Sequence, residues 1–239
     1  MSSEPSKDPA RIARMFDAIS PRYDLLNHLL SAGFDRRWRT RAIRALQLPP
    51  GALVLDLCTG TADLAIAAIT GPEGRAGRVV GVDFAAAMLA RGREKTRALD
   101  LDRRVTLVRG DATCIPLGDS VADAATIAFG IRNVEGPDRA ARELFRVLRP
   151  GGRLAILEFG VPRLPLLRQL YLWYFKHLLP IVGRAISRHD EAYSYLPESV
   201  GAFPSPETFS ALLSGAGFAA IEARPLTTGI VYLYLATKP

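Results

Sequence analysis

Between residues 52 and 159 the chain repeats one pattern, a short apolar run followed by an amphipathic stretch. The runs are ALVLDL (52–57), RVVGVD (78–83), RVTLVRG (104–110), ADAATIAFG (122–130) and RLAILEF (153–159). Helical patterns separate them, among them AAAMLARGREKTRAL (85–99) and PDRAARELFRVL (137–148). Strands that are apolar on both sides must be covered on both faces, and crossovers that carry a helix keep neighbouring strands parallel. Two further runs, FAAIEARPL (218–226) and GIVYLYLA (229–236), are joined too tightly for a crossover and predict an antiparallel ending. The expected architecture is α/β: a seven-stranded, mostly parallel sheet with an antiparallel last strand, in one domain over residues 1–239.

Ahead of the sheet, the pattern is helical from Pro9 to about Leu46. Ile12, Met15, Phe16 and Ile19 fall at helical spacing, as do Leu25, Leu26, Leu29 and Leu30 after Pro21, and PPG at 49–51 closes this extension (1–50). The first eight residues are small and polar and read as disordered. Residues 160–205 read as an insertion on the substrate side. Net charge is +7, mostly from arginine, which admits nucleic acid, a membrane surface or an anionic ligand without choosing among them. Cys58 and Cys114 fall in segments that read as buried strand ends, so both are expected to be small buried hydrophobes in a reducing compartment, with no metal site. The N-terminal residues show no apolar core of a secretory signal, which predicts a cytoplasmic location. The longest apolar tract, 164–187, carries Arg168, Lys176, His177, Arg184 and two prolines and does not read as a membrane-spanning helix.

VLDLCTGTADLA (54–65) sets Gly60 between the first strand and the first helix of the sheet, where open α/β folds bind ligands. A dinucleotide site wants G-x-G-x-x-G, so that backbone can approach a pyrophosphate at the helix N-terminus. Here Gly60 is flanked by two carboxylates, Asp56 and Asp63. Such a pair repels pyrophosphate but suits a ligand bearing an ammonium and a sulfonium. S-adenosylmethionine is a ligand of that kind. Asp83 ends the second strand where ribose hydroxyls are gripped, and GDA (110–112) offers a polar strand end to an adenine amino group. Any one of Asp56, Asp83 and Asp111 is also an ordinary cap residue. The constellation is their succession at three strand ends.

Several blocks then resemble one family: FDAISPRYDLLNHLLSAGFDRRWR (16–39), LDLCTGTADLA (55–65), MLARGREK (88–95), FGIRNV (129–134), RVLRPGGRLAILEF (146–159) and YSYLPESVGAFP (193–204). Together they resemble the C-methyltransferases of menaquinone and ubiquinone biosynthesis over nearly the whole chain. The resemblance implies a class I, Rossmann-like, S-adenosylmethionine-dependent methyltransferase fold. It implies S-adenosyl-L-methionine as methyl donor and transfer to a ring carbon of a prenylated demethylmenaquinol, giving menaquinol. TGTAD is similar to the menaquinone-only members more than to dual-function members with GGTGD. The alternative is a ubiquinone-pathway or dual-function 2-polyprenyl-benzoquinol C-methyltransferase. By their places in TGTAD, GVDF and GDAT, the resemblance puts Thr61, Asp83, Phe84, Asp111 and Ala112 at the donor, beside Asp56 and Gly60. The chain departs from the family at Ala128, where dual-function relatives carry Ser, and at Tyr234 and Ala236, where the last strand carries His and Gly.

FGIRNV places a permanent cation and an amide at the end of the fourth strand, beside the expected donor. Methylating a hydroquinone at carbon needs electron density next to a phenolic oxygen, which ionisation of that oxygen supplies. Arg132 is suited to hold the developing anion, Asn133 to orient the ring, and Tyr23 to act as lid or orienting residue. An arginine of pKa above about 12 is a poor direct base. The structural alternative pairs Arg132 with Glu135 or a helix carboxylate and lets Asn133 cap the helix at Pro137. His189 and Asp190 read as a solvated loop. Tyr171, Trp173, Tyr174 and Phe175 form either an apolar entrance touching a membrane or a helix capping the core. The arginines of 35–44 read as a solvated helix face. No nucleic-acid partner is expected, since neither a Pro-Pro-aromatic motif nor a nucleophilic Cys follows the fourth strand. A peripheral contact at the inner face of the cell membrane and a homodimer both stay open.

Overall fold

The computed structural model describes residues 7–162, 164–173 and 190–239. Tyr174, Phe175, Lys176, His177, Arg184 and His189, named above, lie outside the described residues, as do the first six positions. Three helices precede the sheet: α1 (Pro9–Ile19), α2 (Tyr23–Leu30) and α3 (Phe34–Leu46). The N-terminal helical pattern breaks twice for local reasons. Pro21, which has no N–H for a helix ladder, sits in a 3-10 turn (Ser20–Arg22). Gly33 takes φ +75° ahead of α3, a conformation that glycine adopts without strain. Asp8 starts α1 by accepting the N–H groups of Ala10 and Arg11, with Pro9 at the first helical position.

The rest alternates as β1 (Ala52–Leu57), α4 (Asp63–Thr70), β2 (Ala76–Asp83), α5 (Ala86–Ala98), β3 (Val105–Arg109), β4 (Ala122–Ala128), α6 (Pro137–Val147) and β5 (Leu148–Phe159). It continues with α7 (Pro165–Trp173), α8 (Asp190–Ala202), α9 (Pro206–Gly215), β6 (Ala219–Leu226) and β7 (Val231–Thr237). The strand order is β3-β2-β1-β4-β5-β7-β6. Strands β1 to β5 pair in parallel, while β7 runs antiparallel to both β5 and β6. The expected antiparallel ending is there because only a 3-10 turn, Thr227–Gly229, separates β6 from β7.

On one face of the sheet, Trp38, Ile43 and Leu46 of α3 pack with α4 and α5 residues against Val54, Val79 and Leu157. On the other, Leu144 of α6 and Phe209 and Leu213 of α9 cover Leu55, Ile127 and Ile156. Each such large apolar side chain stabilises the fold by about 1.5–3 kcal/mol. Although α3 belongs by sequence to the extension, it is thus one of the helices that cover the sheet. Its indole N–H also donates to Thr227 Oγ1 at 2.8 Å. A third cluster joins Ile12, Met15, Ile19 and Leu26 to Met88 of α5 and to Tyr195 and Val200 of α8. That cluster seats α1 and α2 over the carboxyl ends of the strands.

The decisive geometry lies between β1 and β4. These central neighbours are where the strand order reverses, so the chain leaves them in opposite directions and opens a crevice. β4 ends at Ala128, two residues earlier than the apolar run suggests, because Phe129 turns into the left-handed region at φ +58°. Gly130 follows, and Ile131–Asn133 form a buried 3-10 turn. After β1, Cys58, Gly60 and Ala62 also take positive φ (+55°, +55° and +67°). Two strained turns therefore face each other, at about 1–3 kcal/mol per non-glycine residue. They touch at Gly130, where an added Cβ would collide with the Cβ of Cys58. Cys114, by contrast, is exposed, which corrects the expectation of a buried strand end: β3 stops at Arg109, and Asp111 and Cys114 form an isolated bridge beyond it.

Gly130→Ala should lower stability by about 1–3 kcal/mol through this overpacking, seen as a lower urea midpoint at unchanged slope. Cys58→Gly removes the opposing side chain at a position whose φ suits glycine, so the double variant should recover part of the loss.

Candidate active site

Asp56 lies beneath the first turn rather than in the crevice. It is 1% exposed, and its two oxygens accept the hydroxyls of Thr59 and of Thr126, its register partner on β4. Burial pushes its carboxyl up to about 6 against the pull of those hydroxyls. Asp83 closes the turn from the other side: Oδ2 accepts the Gly60 N–H at 2.8 Å and Oδ1 the Ala85 N–H at 2.9 Å. Burial raises the Asp83 carboxyl too. With these bonds made, its oxygens still have lone pairs for two ligand hydroxyls.

A small cleft of about 30 Å³ is lined by Cys58, Gly60, Asp83, Phe84, Met88 and Asn133, with Phe16, Tyr23 and Phe129 closing it. Phe84 also lines an open trough of about 300 Å³ with Asp111, Gly110 and Arg109, roofed by Pro9, Ala10 and Ala13 of α1. Asp111 is exposed there and accepts the Thr113 N–H at 2.8 Å, while Ala112 is buried behind it. The residues fit an elongated donor with a ribose at its middle. A Cβ added to Gly60 would meet nothing within 4 Å, and Asn133 Oδ1 is buried beside the cleft without a hydrogen-bond partner among the described residues. Burial, then the Asp83, Asp56 and Glu158 carboxylates, raise the Cys58 thiol well above its usual range, which leaves it protonated.

Asp63, like Asp56, departs from the sequence expectation. Asp63 does not present its charge to a ligand, because it pairs with Lys95 and, at 3.4 Å, with Arg39. Lys95 also holds Asp24 of α2 at 2.8 Å, and the Thr61 hydroxyl donates to the same Asp24. Asp35 pairs with Arg39 and approaches His28 Nδ1 at 2.7 Å. Burial works to raise the Asp35 carboxyl, but Arg39, the Ser31 hydroxyl and His28 together hold it below its ordinary value. The oxygens of Asp35 and Asp63 and a His28 nitrogen lie within 4.8 Å of one another. Because the Arg39 guanidinium already compensates both acids, this cluster acts as a latch tying α2 and α3 to the first turn. Thr61 is part of that latch.

Arg132 and Asn133 are both buried, at 7% and 6% exposure. Among the described residues Arg132 pairs with neither Glu135 nor a helix carboxylate. Its Nη1 bonds Glu158 Oε1 at 2.8 Å and the Phe129 carbonyl, its Nε reaches Ser199 Oγ at 3.4 Å, and its backbone N–H donates to Glu158 Oε2 at 3.2 Å. The guanidinium lies 5.4 Å from the centre of the Phe159 ring, which in turn stacks on Phe129 at 4.6 Å. Nor does Asn133 cap α6, whose first turn follows Gly136 with no side-chain bond. Tyr23 sits where burial raises its phenol, with the Asn27 side chain, Arg132 and Arg39 opposing.

Arg132 and Tyr23 open onto a much larger, mostly apolar cavity of about 540 Å³. Met15, Leu26 and Leu30 come from the extension, Trp38 from α3, Leu170 and Trp173 from α7, and Tyr195 from α8. Phe16, Tyr23 and Phe129 line both this cavity and the small cleft, so they form a shared wall.

The model of the ubiE/COQ5 methyltransferase family matches residues 4–238. The chain belongs to the ubiE/COQ5 methyltransferase family. The methyltransferase is 45% identical over 230 residues to a ubiquinone/menaquinone biosynthesis C-methyltransferase of Geobacter sulfurreducens, covering 95% of this chain and 88% of that one. It is 44% identical over 241 residues to a demethylmenaquinone methyltransferase of Clavibacter sepedonicus, covering 100% and 95%. In fold it is similar to an S-adenosylmethionine-dependent methyltransferase from Aquifex aeolicus, with a TM-score of 0.58 at 19% identity over 84% of this chain and 89% of that one. The class I methyltransferase fold and the use of S-adenosylmethionine by a C-methyltransferase, both expected from sequence, stand.

The methyltransferase has one site residue that sequence reading passed over. Glu158 is wholly buried, yet it makes two bonds to Arg132 and accepts the Phe159 N–H at 2.8 Å. Its signal was a carboxylate at the carboxyl tip of an otherwise apolar central strand, RLAILEF.

Two outcomes follow for stability. Asp56 has a folded pKa near 6 against about 3.9 unfolded, so the folded state holds the extra proton between those values and stability falls as pH rises from about 4 to about 6. Asp56→Asn removes that loss, so it should be more stable than the parent above pH 6, by up to about 3 kcal/mol, and the difference should vanish near pH 4 in urea titrations. Glu158→Gln leaves a buried guanidinium without its counter-charge and should cost about 3–5 kcal/mol, whereas Glu158→Gln with Arg132→Met should cost less than the two single changes added together in a double-mutant cycle.

Proposed function

We propose that this methyltransferase moves the methyl group of S-adenosylmethionine onto a ring carbon of demethylmenaquinol, giving menaquinol. The observation that carries the reading is the wall of Phe16, Tyr23 and Phe129 shared by a polar cleft at the strand tips and an apolar cavity large enough for an aromatic head group. A flat ring against that wall reaches Arg132 and Asn133 while its prenyl tail follows the apolar lining. The names of the relatives, which include menaquinone and ubiquinone pathway enzymes, support a prenylated quinol as acceptor. TGTAD favours the naphthoquinol over a benzoquinol.

S-adenosylmethionine would lie from the trough at Asp111 past Phe84 to the cleft at Gly60, where it supplies an electrophilic methyl group. Asp83 is placed to accept ribose hydroxyls, Phe84, Asp111 and Ala112 to bound the adenine, and Gly60 to let backbone approach. Asp56 and Thr61 act through the turn they brace. The acceptor's task is to become electron-rich at the carbon beside a phenolic oxygen. Arg132 Nη1 and Nε are committed to Glu158, Phe129 and Ser199, so among the described residues Nη2 is the atom left to meet that oxygen as negative charge develops. Asn133 Oδ1, buried and without a partner among the described residues, accepts a ring O–H and fixes the ring's orientation. Tyr23 keeps its proton in its buried site, so it orients the ring rather than removing a proton.

The test uses labelled donor and a short-tailed demethylmenaquinol. Arg132→Ala should lower kcat about 10²–10³-fold while the donor Kd stays within about twofold. Asp83→Ala should instead weaken donor binding about 10–100-fold by calorimetry. Normal turnover in the Arg132 variant would defeat the charge-stabilising role.

A further inference from the structure

Two helices that line the apolar cavity, α2 through Leu26 and Leu30 and α7 through Leu170 and Trp173, also carry exposed apolar side chains. Leu25 and Leu29, one turn apart on α2, are 61% and 54% exposed. Leu166, Leu170 and Trp173, at i, i+4 and i+7 on α7, are 82%, 61% and 55% exposed. Phe34, Leu170 and Trp173 are exposed and line the cavity at once, so they mark its rim. Single exposed leucines need no explanation, but rows on two helices that both line one cavity do.

On α2, α3 and α7 the exposed charge among the described residues is positive. Arg36 and Arg37 of α3 and Arg168 of α7 are exposed, and the Arg37 guanidinium lies 5.4 Å over the Phe34 ring. The acids of α2, α3 and α7 are Asp24 and Asp35 alone, the first bonded to Lys95 and the second buried under Arg39. Arg36 and Arg37 thus flank exposed apolar side chains with no acid exposed among them, while Arg39 of the same helix is buried, which corrects the reading of this arginine stretch as a wholly solvated face. Among the described residues no helix is long and apolar enough to cross a membrane. Apolar side chains in helical rows with cations beside them match an anionic bilayer surface, where the former enter the acyl boundary and the latter meet headgroup phosphates.

We infer that the α2 and α7 leucines with the α3 arginines form a docking face for anionic lipid that presents the cavity mouth to the bilayer. The inference rests on the prenylated-quinol reading of the cavity. The cavity holds a ring and the start of a tail, and the face lets the remainder of the tail stay in lipid while the ring reaches Arg132. Docking supplies the acceptor by lateral diffusion, so no soluble carrier is needed.

Flotation with phosphatidylcholine vesicles, with and without phosphatidylglycerol, tests this. The parent should bind the anionic vesicles at least about tenfold more tightly, and less so as salt rises. Leu25→Ser with Leu29→Ser, and separately Leu166→Ser, should each weaken vesicle binding about tenfold. Arg36→Ala with Arg37→Ala should bring binding near that to phosphatidylcholine alone. All three variants should keep the parent's melting temperature and its turnover of a short-tailed acceptor in solution. A parent indifferent to phosphatidylglycerol, or leucine variants that bind like the parent, overturns the docking face while turnover of the short-tailed acceptor leaves the functional reading intact. Sedimentation of the parent as a dimer that the leucine variants break, without vesicle binding, also overturns it in favour of a contact between copies. Vesicle binding as expected with no turnover of the short-tailed naphthoquinol overturns the acceptor assignment alone.

Discussion

The divergence of the chain after β1 and β4 is the constraint on which the other features hang. Adjacent parallel strands whose connections depart to opposite sides leave their carboxyl ends uncovered, and here the two departing turns come close enough that Gly130 and Cys58 share one space. The polar cleft and the wall it shares with the cavity are assembled largely from what those two turns carry. Cys58 and Gly60 come from the first, Arg132 and Asn133 from the second, and Asp83 joins from the neighbouring strand end. Positive φ at Cys58, Ala62 and Phe129 is backbone strain that the surrounding packing must sustain.

Electrostatics in this crevice is arranged in compensated pairs rather than as a bare field. Arg132 is matched by Glu158, Asp63 by Lys95 and Arg39, and Asp56 by two hydroxyls. A buried uncompensated charge would be costly, so a cation that must sit in a water-poor site is kept there by a fully buried carboxylate. The same pairing gives Arg132 its direction: with Nη1 and Nε held, the guanidinium cannot swing away from the wall it shares with Phe129 and Phe159.

The N-terminal helices do two jobs that a sheet-only methyltransferase core would leave undone. α1 roofs the trough at Asp111 and Phe84, and α2 stands between cleft and cavity through Tyr23, tied down by Asp24 to Lys95 and Thr61. In this way residues near the start of the chain become walls for groups that follow β1, β2 and β4. α7 and α8 complete the enclosure with Leu170, Trp173 and Tyr195, and α8 adds Ser199 against Arg132.

Alternating apolar runs and helices were enough to predict the doubly covered sheet, and a tight link between the last two strands was enough to predict their antiparallel pairing, because both depend on local pattern and chain length. The strand-end carboxylates and FGIRN were likewise legible, since α/β sheets present strand tips at one edge. What each of those residues would touch was not. Asp63 turned to Lys95, Asp56 went beneath its turn, Cys114 came to the surface, and Arg132 took Glu158 in place of Glu135. Those outcomes pair groups up to 70 residues apart, as Thr126 with Asp56, and are set by which helix and strand land beside which strand. Periodicity gives the face of each element, but only the packed tertiary structure brings distant side chains within hydrogen-bonding reach.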